Sequence, residues 1–419
     1  MKTIYKSILA LFICATATAQ NAIPTLDSTY VAKKVSYFTV ENGKIEGGGL
    51  KQWQRIVDES QFIAFGERHS SKATSELFEA LLPMTTNKGY NNFIIEVGPY
   101  SAKKLVELSK TPEQTVSRLS QFLMQYGNLE YRFTPIPFFS GVEDARFLQK
   151  AAEGNMNIIG IDQEFLLSAP FLFDELLKLA EGHKDYDTIK DLHGKSKEKL
   201  IYWYKAESDS KGKTSAYTEI LKEASVIDFL NKMSNVSSDA EAIIDALKTS
   251  WDIYIRWRDD SHVDRISYMR NNFMSHYNAQ LKKQATQKYV LKFGALHTAK
   301  SFSNGAYDLG HLVTELAEKN NTKASIINSW SRYYIGEDGK TTDYLKAYSF
   351  YKRYRELMCF GNKTQWVIID LASIRNDIAK GKVKLPNNGD YHKLRYLIDS
   401  YDYQLIMPLD RMFTINIGN

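Results

Sequence analysis

Cysteine is scarce in this sequence, with only Cys14 and Cys359 among 419 residues. Cys14 lies in a segment that we expect to be removed, so Cys359 would remain alone and no internal disulfide could form. The mature protein would therefore be stabilised by its core alone.

Long blocks of a single charge are also lacking. The formal net charge is +5, but acidic residues alternate with Lys and Arg along the chain. Proteins that bind nucleic acid usually carry a basic patch or tail. We therefore expect no nucleic acid as partner. The sequence also contains no repeat of fixed period and no low-complexity segment.

The apolar run near the start is too short for a membrane anchor. Lys2 and Lys6 precede this run, Ile8 to Cys14, and Ala17-Thr18-Ala19 follows it as an A-x-A cleavage site. A transmembrane helix needs about 20 apolar residues, whereas this pattern is typical of a cleavable signal peptide. We predict a signal peptide over residues 1–19, a secreted or periplasmic protein, and no stable membrane insertion after cleavage. The bulky residues before Cys14 argue against lipid attachment there.

Two segments share one pattern, an apolar run that ends in Gly-x-x-His. They are Gln61–His69 (QFIAFGERH) and Lys288–His297 (KYVLKFGALH). Short apolar runs bounded by Gly predict buried strands, and Gly leaves room for a sharp turn or a ligand at the strand end. With 23 Gly and 8 His in the chain, roughly 0.4 such motifs would arise by chance. Two copies at strand ends therefore indicate a functional site.

A helix should follow the first motif directly. Leu77, Ala80, Leu81 and Met84 recur with helical spacing, and Ser71 is placed to cap the helix. The positive end of this helix would lie near His69, where it favours a negative charge or an oxyanion.

Further strand-like runs alternate with helical segments on both sides of the chain's middle. Together with the two motif strands, this pattern predicts an α/β fold with a central, mostly parallel or mixed sheet flanked by helices. The further predicted strands are 92–99, 156–162, 324–329, 365–370 and 403–407.

The middle of the chain has a different character. Residues 169–285 show helical periodicity without convincing strands, and we interpret them as a helical insertion that forms a lid over the active edge. Residues 20–168 and 286–419 would then form the α/β catalytic core. Residues 22–60 look peripheral, apart from a short helix over Leu50 to Glu59.

Four residues at the predicted strand ends are candidates for catalysis. Glu67 and His69 lie two positions apart, so in an extended segment they share a face, and a carboxylate beside an imidazole makes a general base. His297 occupies the matching place in the second motif. Glu96 ends an apolar strand, where a buried carboxylate needs a partner. Each candidate also has a purely structural alternative. Glu67 and His69 could lie in a surface turn without a role, His297 could be a core histidine, and Glu96 could form a buried ion pair.

Weaker candidates follow the next strand and lie on a later helix. Asp162 and Glu164 come at the end of the 156–162 strand. Arg265, Met269 and Asn272 share one helix face by their spacing, and an arginine there could clamp a carboxylate or stabilise an anionic intermediate. A solvated helix with Asp–Arg pairs is the structural alternative.

These motifs resemble the Tiki/TraB superfamily, which includes Tiki-type metalloproteases, erythromycin esterases and ChaN-type haem-uptake proteins. The start Gly66-Glu67-x-His69 with Glu96 is similar to the esterase and ChaN patterns. Gly160-x-Asp162, Arg265 and the His297 strand are similar to erythromycin esterases. Those esterases typically have Gly-Glu-x-x-His as the first motif and His-Asn before the second histidine, and both differences concern the substrate more than the fold.

The resemblance implies an erythromycin esterase-like hydrolase that acts on a small-molecule substrate. His69 would be the general base on water, oriented by Glu67 or Glu96, while Arg265 and His297 stabilise the developing oxyanion on an ester or lactone. Asp162, Glu164 and Asn272 would contribute to substrate binding.

Two alternatives stay open at the level of sequence. In a Tiki-like metal-dependent peptidase, His69, Glu96 and His297 would hold one divalent metal, such as Mn, Co or Zn, that activates the water. In a ChaN-like binding protein, the same cleft would hold haem or another iron ligand. The hydrolase interpretation without a metal requires no cofactor.

Overall fold

The computed structural model describes residues 23–128, 134–257, 261–283, 287–387 and 389–418. The predicted signal peptide lies outside the described residues. None of the helices in the described part is long and apolar enough to cross a bilayer.

Strands and helices alternate along most of the chain, as in other α/β proteins. The strands are β1 (Val35–Glu41), β2 (Lys44–Glu46), β3 (Ser60–Glu67), β4 (Tyr90–Ile95), β5 (Asn157–Gly160), β6 (Lys288–Gly294), β7 (Lys323–Ser331), β8 (Tyr333–Ile335), β9 (Thr341–Asp343), β10 (Trp366–Asp370), β11 (Tyr403–Met407) and β12 (Asp410–Arg411). The helices are α1 (Ser28–Val31), α2 (Leu50–Glu59), α3 (Lys72–Thr86), α4 (Pro99–Leu108), α5 (Thr115–Tyr126), α6 (Val142–Glu153), α7 (Ala169–Leu179), α8 (Tyr186–Asp209), α9 (Ala216–Ile220), α10 (Ala224–Met233), α11 (Ser238–Ile255), α12 (His262–Leu281), α13 (Ala295–Thr298), α14 (Leu309–Lys319), α15 (Tyr344–Ala347), α16 (Ser349–Lys352), α17 (Arg355–Met358), α18 (Leu371–Ala379) and α19 (Tyr391–Ser400).

One large sheet organises the described residues. Its strand order is β2-β1-β10-β11-β7-β3-β6-β4-β5. The run from β11 to β5 is parallel, while β10, β1 and β2 add antiparallel pairs at one edge. This arrangement confirms the predicted α/β class with a mostly parallel sheet, and the seven predicted strands are all present.

The prediction that residues 22–60 are peripheral was wrong. β1 pairs with β10 within the main sheet, and Phe38 and Trp53 lie fully buried in the core. Most residues of β1 are only partly buried. Strand β1 lies next to the edge strand β2 in the antiparallel part of the sheet, and it lacks the continuous apolar run by which central parallel strands are recognised.

The motif strands occupy the centre of the sheet. β3 pairs in parallel with β7 on one side and β6 on the other, and Phe65 lies opposite Lys292 in the β3–β6 register. Because β3, β6, β4 and β5 are neighbours and parallel, their carboxyl ends meet at one edge, where open α/β sheets bind ligands.

The helix after the first motif forms as predicted. Ser71 caps α3, with its side chain accepting a hydrogen bond from Thr74 N at 3.1 Å. A small sheet of β12, β8 and β9 lies beside this connection, and Phe413 N donates to Ser70 O at 3.2 Å. The loop that carries His69 is thereby fixed from two sides.

The described residues between 169 and 283 form helices α7 to α12. Apolar side chains of these helices belong to the two hydrophobic clusters that cover the sheet. Phe273 and Tyr277 of α12, for example, pack against Phe62 of β3. The division of the chain into a core and a lid stays a prediction.

Candidate functional site

The first Gly-x-x-His motif lies at the carboxyl end of β3. His69 follows the strand in the turn to α3, and its Nδ1 lies 3.1 Å from Glu67 Oε1. Its ring stacks on Phe138 with the centroids 4.0 Å apart, and its side chain is 37% exposed. His69 is therefore fixed at one nitrogen, covered on one face and reachable by water.

Glu67 forms an ion pair with a buried lysine. Lys292 Nζ of β6 is 2.6 Å from Glu67 Oε2, and both side chains are almost fully buried. Burial would raise the pKa of Glu67, but the charge of Lys292 and the contact with His69 lower that pKa to about 2. The sequence reasoning missed Lys292, although it lies on the same sheet face as Glu67 once the β3–β6 register is known.

The second motif lies at the end of β6 but continues differently. After Gly294 the chain enters the one-turn helix α13, which carries His297. His297 Nδ1 lies 2.7 Å from Asp308 Oδ2, and its Nε2 lies 3.4 Å from Glu96 Oε1. This histidine is buried. Asp308 was not predicted, because it follows the motif by eleven residues in a loop and no pattern relates the two.

Glu96 occupies the centre of the cluster. Its Oε1 accepts from Arg265 Nη2 at 2.9 Å, and its Oε2 accepts from the backbone N–H of Gly294 at 2.5 Å. His69 Nε2 lies 3.8 Å from the same Oε2. The structure thus brings both motif histidines to one carboxylate, which ends the strand next to β6.

The carboxylates change the protonation of both histidines. Burial lowers the pKa of His69, but Glu67 and Glu96 outweigh it and raise that pKa above its ordinary value of 6.5. Burial also lowers the pKa of His297, but Glu96 and Asp308 outweigh it and raise that pKa overall. Both imidazoles therefore titrate above 6.5.

Arg265 connects Glu96 to the end of β5. Its Nε and Nη2 donate to the two oxygens of Asp162 at 3.0 and 2.5 Å. Burial would raise the pKa of Asp162, but the charge of Arg265 lowers it overall. Asn272, two turns further along α12, donates to Ile161 O at 2.9 Å. The helix face predicted from the sequence thus lies against the end of β5.

Glu164 is not part of this cluster. Its carboxylate accepts from Tyr100 N at 2.6 Å and from Ser101 Oγ at 2.6 Å, at the start of α4. It is fully buried, and burial raises the pKa of Glu164 to about 7. This geometry is that of a helix-capping carboxylate. The side chains of Asp162 and Asn272 also bind protein groups, namely Arg265 and Ile161 O. A substrate-binding role for Glu164, Asp162 and Asn272 stays a prediction.

The glycines of both motifs are required by close approach. A Cβ on Gly294 would lie 2.8 Å from His69 Nε2. A Cβ on Gly66 would lie 2.4 Å from Thr298 Oγ1 and 2.9 Å from Ala295 Cα. The two motifs therefore pack directly against each other, each through the glycine of its own strand end.

A cavity of about 520 Å³ meets the cluster at Arg265. Stacked tyrosines, Tyr217 and Tyr254, form part of its wall, with ring centroids 4.6 Å apart. Trp257 also lines it and is about half exposed. Ligand sites are often concave, aromatic and supplied with a few polar groups, and this cavity has that composition.

The predicted metal ligands do not fit a metal site. Both oxygens of Glu96 already accept from Arg265 and from the N–H of Gly294. Within the described residues, no group of three or more His, Cys, Asp or Glu side chains is arranged to hold a metal ion. These contacts argue against a metal ion held by His69, Glu96 and His297.

Similarity to known proteins lies in the fold rather than in the sequence. No protein-family model matches this sequence, and no curated protein matches it significantly. The erythromycin esterase EreC, solved as a mutant in its open conformation, aligns with a TM-score of 0.52 and 14% identity over 90% of this chain and 98% of its own. A succinoglycan biosynthesis protein aligns with a TM-score of 0.51 and 14% identity over 92% of this chain and 96% of its own.

A haem-binding ChaN from Campylobacter jejuni aligns more weakly, with a TM-score of 0.32 and 11% identity over 89% of this chain and 97% of its own. A score this low carries no argument for haem. This chain thus has the α/β fold of erythromycin esterase, and its predicted place in the Tiki/TraB superfamily stays a prediction.

Proposed function

We propose that this protein is an exported, erythromycin esterase-like hydrolase in which His69 activates water to cleave an ester or lactone. One observation carries the proposal: both motif histidines meet at Glu96, and each has a second carboxylate behind it. Such paired imidazole–carboxylate contacts are the means by which proteins orient and tune catalytic histidines.

The contacts of His69 support its role as the general base. Its Nδ1 faces Glu67, so the tautomer inferred from this contact carries the proton on Nδ1 and leaves Nε2 as the acceptor. Nε2 would take a proton from water while the oxygen bonds to the carbonyl carbon. When the tetrahedral intermediate collapses and the C–O bond breaks, the same proton passes to the leaving oxygen. General base catalysis of this kind typically contributes about 10²- to 10⁴-fold.

Arg265 and His297 are the candidates to stabilise the oxyanion. Both are cationic or readily protonated, since the carboxylates around them raise the pKa of each above its ordinary value. Arg265 also lines the cavity, so a substrate held there would lie beside a guanidinium already fixed by Asp162 and Glu96. A donor fixed before the reaction needs no reorganisation as charge develops.

The test is hydrolysis of a panel of esters and lactones by the wild type and by His69→Gln, each with and without a chelator. His392→Gln is the matched control, because His392 is exposed and remote in sequence from both motifs. We expect His69→Gln to lose turnover and His392→Gln to retain it, with no effect of the chelator. Restoration of chelated enzyme by Mn²⁺, Co²⁺ or Zn²⁺ would contradict the metal-free mechanism.

The pH profile gives a second readout. The base must be neutral to accept a proton, so kcat falls as the pH falls through the pKa of His69. Because that pKa is raised, the midpoint of the acid limb lies above 6.5. A profile that stays flat from pH 5 to pH 8 would contradict a histidine base. If no ester or lactone reacts and the purified protein shows a Soret band, haem binding becomes the better explanation.

A further inference from the structure

The ring that covers His69 belongs to a residue with an unusual backbone. Phe138 has φ = +64°, in the left-handed region that glycine adopts readily and that L-residues other than Asn and Asp rarely adopt. For an aromatic residue this conformation is strained, and such strain persists only where the surroundings impose it. The position therefore needs an explanation beyond loop geometry.

The surroundings do impose it. Ile136 and Phe139, on either side of Phe138, are buried in the core. Ser140 O accepts from Asn416 N at 2.9 Å, and Val142 N donates to Thr414 O at 2.8 Å. Residues 134–142 are thus anchored on both sides of Phe138, whose own side chain is only partly buried.

The side chain of Phe138 stacks on His69. The centroids are 4.0 Å apart and the rings are 14° from parallel. Glu67 fixes one edge of the imidazole through Nδ1, but a single contact leaves the ring free to rotate about it. Stacking adds a second constraint, which fixes the plane of the ring and keeps Nε2 directed toward Glu96.

We infer that Phe138 is a positioning residue for His69: its strained backbone presents a ring that fixes the imidazole plane and covers one face from water. The inference rests on the proposed function for its catalytic consequence. The stacking itself is independent of that function, and it can be measured without turnover.

The experiment compares Phe138→Leu and Phe138→Tyr with the wild type, using ¹³C-labelled histidine and NMR. The His69 signal is identified as the one lost in His69→Gln. A ring stacked at this distance shifts the imidazole protons upfield, so Phe138→Leu should move them downfield and Phe138→Tyr should leave them near the wild-type position. An unchanged His69 signal in Phe138→Leu would overturn the inference.

Kinetics supply the second readout. Phe138→Leu should lower kcat about tenfold with little change in KM, since loss of orientation affects the chemical step, and Phe138→Tyr should restore most of kcat. An unchanged kcat in Phe138→Leu would overturn the positioning role. If the wild type cleaves no ester or lactone, the proposed function fails, while the NMR comparison still decides whether Phe138 fixes the ring.

Phe139→Leu is the matched control, because it loosens the same loop from within the core without removing the stacked ring. We expect a lower Tm but an unchanged His69 signal. An equal shift of that signal in Phe139→Leu would show that the loop rather than the ring acts. Phe138→Gly should be at least as stable as Phe138→Ala, because only glycine adopts this φ without strain; a less stable glycine variant would contradict the strained conformation.

Discussion

The two Gly-x-x-His motifs begin alike and place their histidines in different environments. His69 lies in an open turn, with 37% of its side chain exposed, whereas His297 lies on a one-turn helix with 8% exposed. Behind His69, Glu67 is itself neutralised by a buried lysine. Behind His297, Asp308 also caps α14 through Leu309 N.

The difference in exposure suits different roles for the two histidines. Water reaches His69, which suits a base that must exchange protons with solvent and substrate. His297 is enclosed between two carboxylates, Glu96 and Asp308, which suits a protonated donor or a structural contact. The same short motif therefore places its histidine in two different environments around a single carboxylate, because the chain takes a different path after each glycine.

Substitution of each histidine by glutamine would test this contrast most directly. His69→Gln should lower kcat by about 10³-fold and leave the Tm near that of the wild type, because the side chain is partly exposed. His297→Gln should lower kcat and also destabilise the protein by about 1–3 kcal/mol, because Asp308 and Glu96 lose a charged partner in the interior. Ester hydrolysis and thermal unfolding measure both, and an equal loss of stability in the two variants would contradict the contrast.

The carboxylates behind the histidines should differ in the opposite direction, with the larger loss of stability on the His69 side. Glu67→Gln leaves Lys292 buried without its counter-charge and should cost about 3 kcal/mol in free energy of unfolding. Asp308→Asn keeps an acceptor for His297 Nδ1 and should cost about 1 kcal/mol. Urea unfolding measures both.

The control for this pair is the double variant Glu67→Gln/Lys292→Met, which removes both charges. It should recover part of the stability lost in Glu67→Gln alone, as a thermodynamic cycle would show. If the double variant loses more unfolding free energy than Glu67→Gln and Lys292→Met lose together, Lys292 is not the counter-charge of Glu67.

The motif glycines should differ from each other by about 2 kcal/mol in stability, less than the largest losses expected above. Gly66→Ala would press a Cβ against the backbone of Ala295 and Ile327 and should destabilise by about 2 kcal/mol. Gly294→Ala would meet the ends of His69 and Glu96 instead, which can move, so we expect near-normal stability and about tenfold lower kcat. Thermal unfolding with ester hydrolysis separates these outcomes, and normal activity of Gly294→Ala would contradict the close contact of the motifs.

Much of the fold was predictable, for identifiable reasons. Central parallel strands are buried on both faces, so their sequences are continuous apolar runs with clear ends. Strand β1, next to the edge of the large sheet, and the short strands of the small sheet lack such runs. They form because neighbouring backbone is available to pair with. Local sequence contains no signal for that availability.

The sequence by itself determined which chemistry meets at the sheet edge. Glu67, Glu96, Asp162 and the two motif histidines follow parallel strands, and the carboxyl ends of such strands meet once the strands are neighbours. The glycines that let the motifs approach each other are also written in the sequence.

Only the tertiary structure decided the partner of each group. Lys292 reaches Glu67 through the β3–β6 register, Asp308 reaches His297 from a later loop, and Phe138 reaches His69 through a strained turn. These contacts join residues distant in the chain, so they depend on how the layers pack rather than on any local pattern. For that reason the sequence predicts two similar histidines, and packing leaves His69 partly exposed and His297 buried.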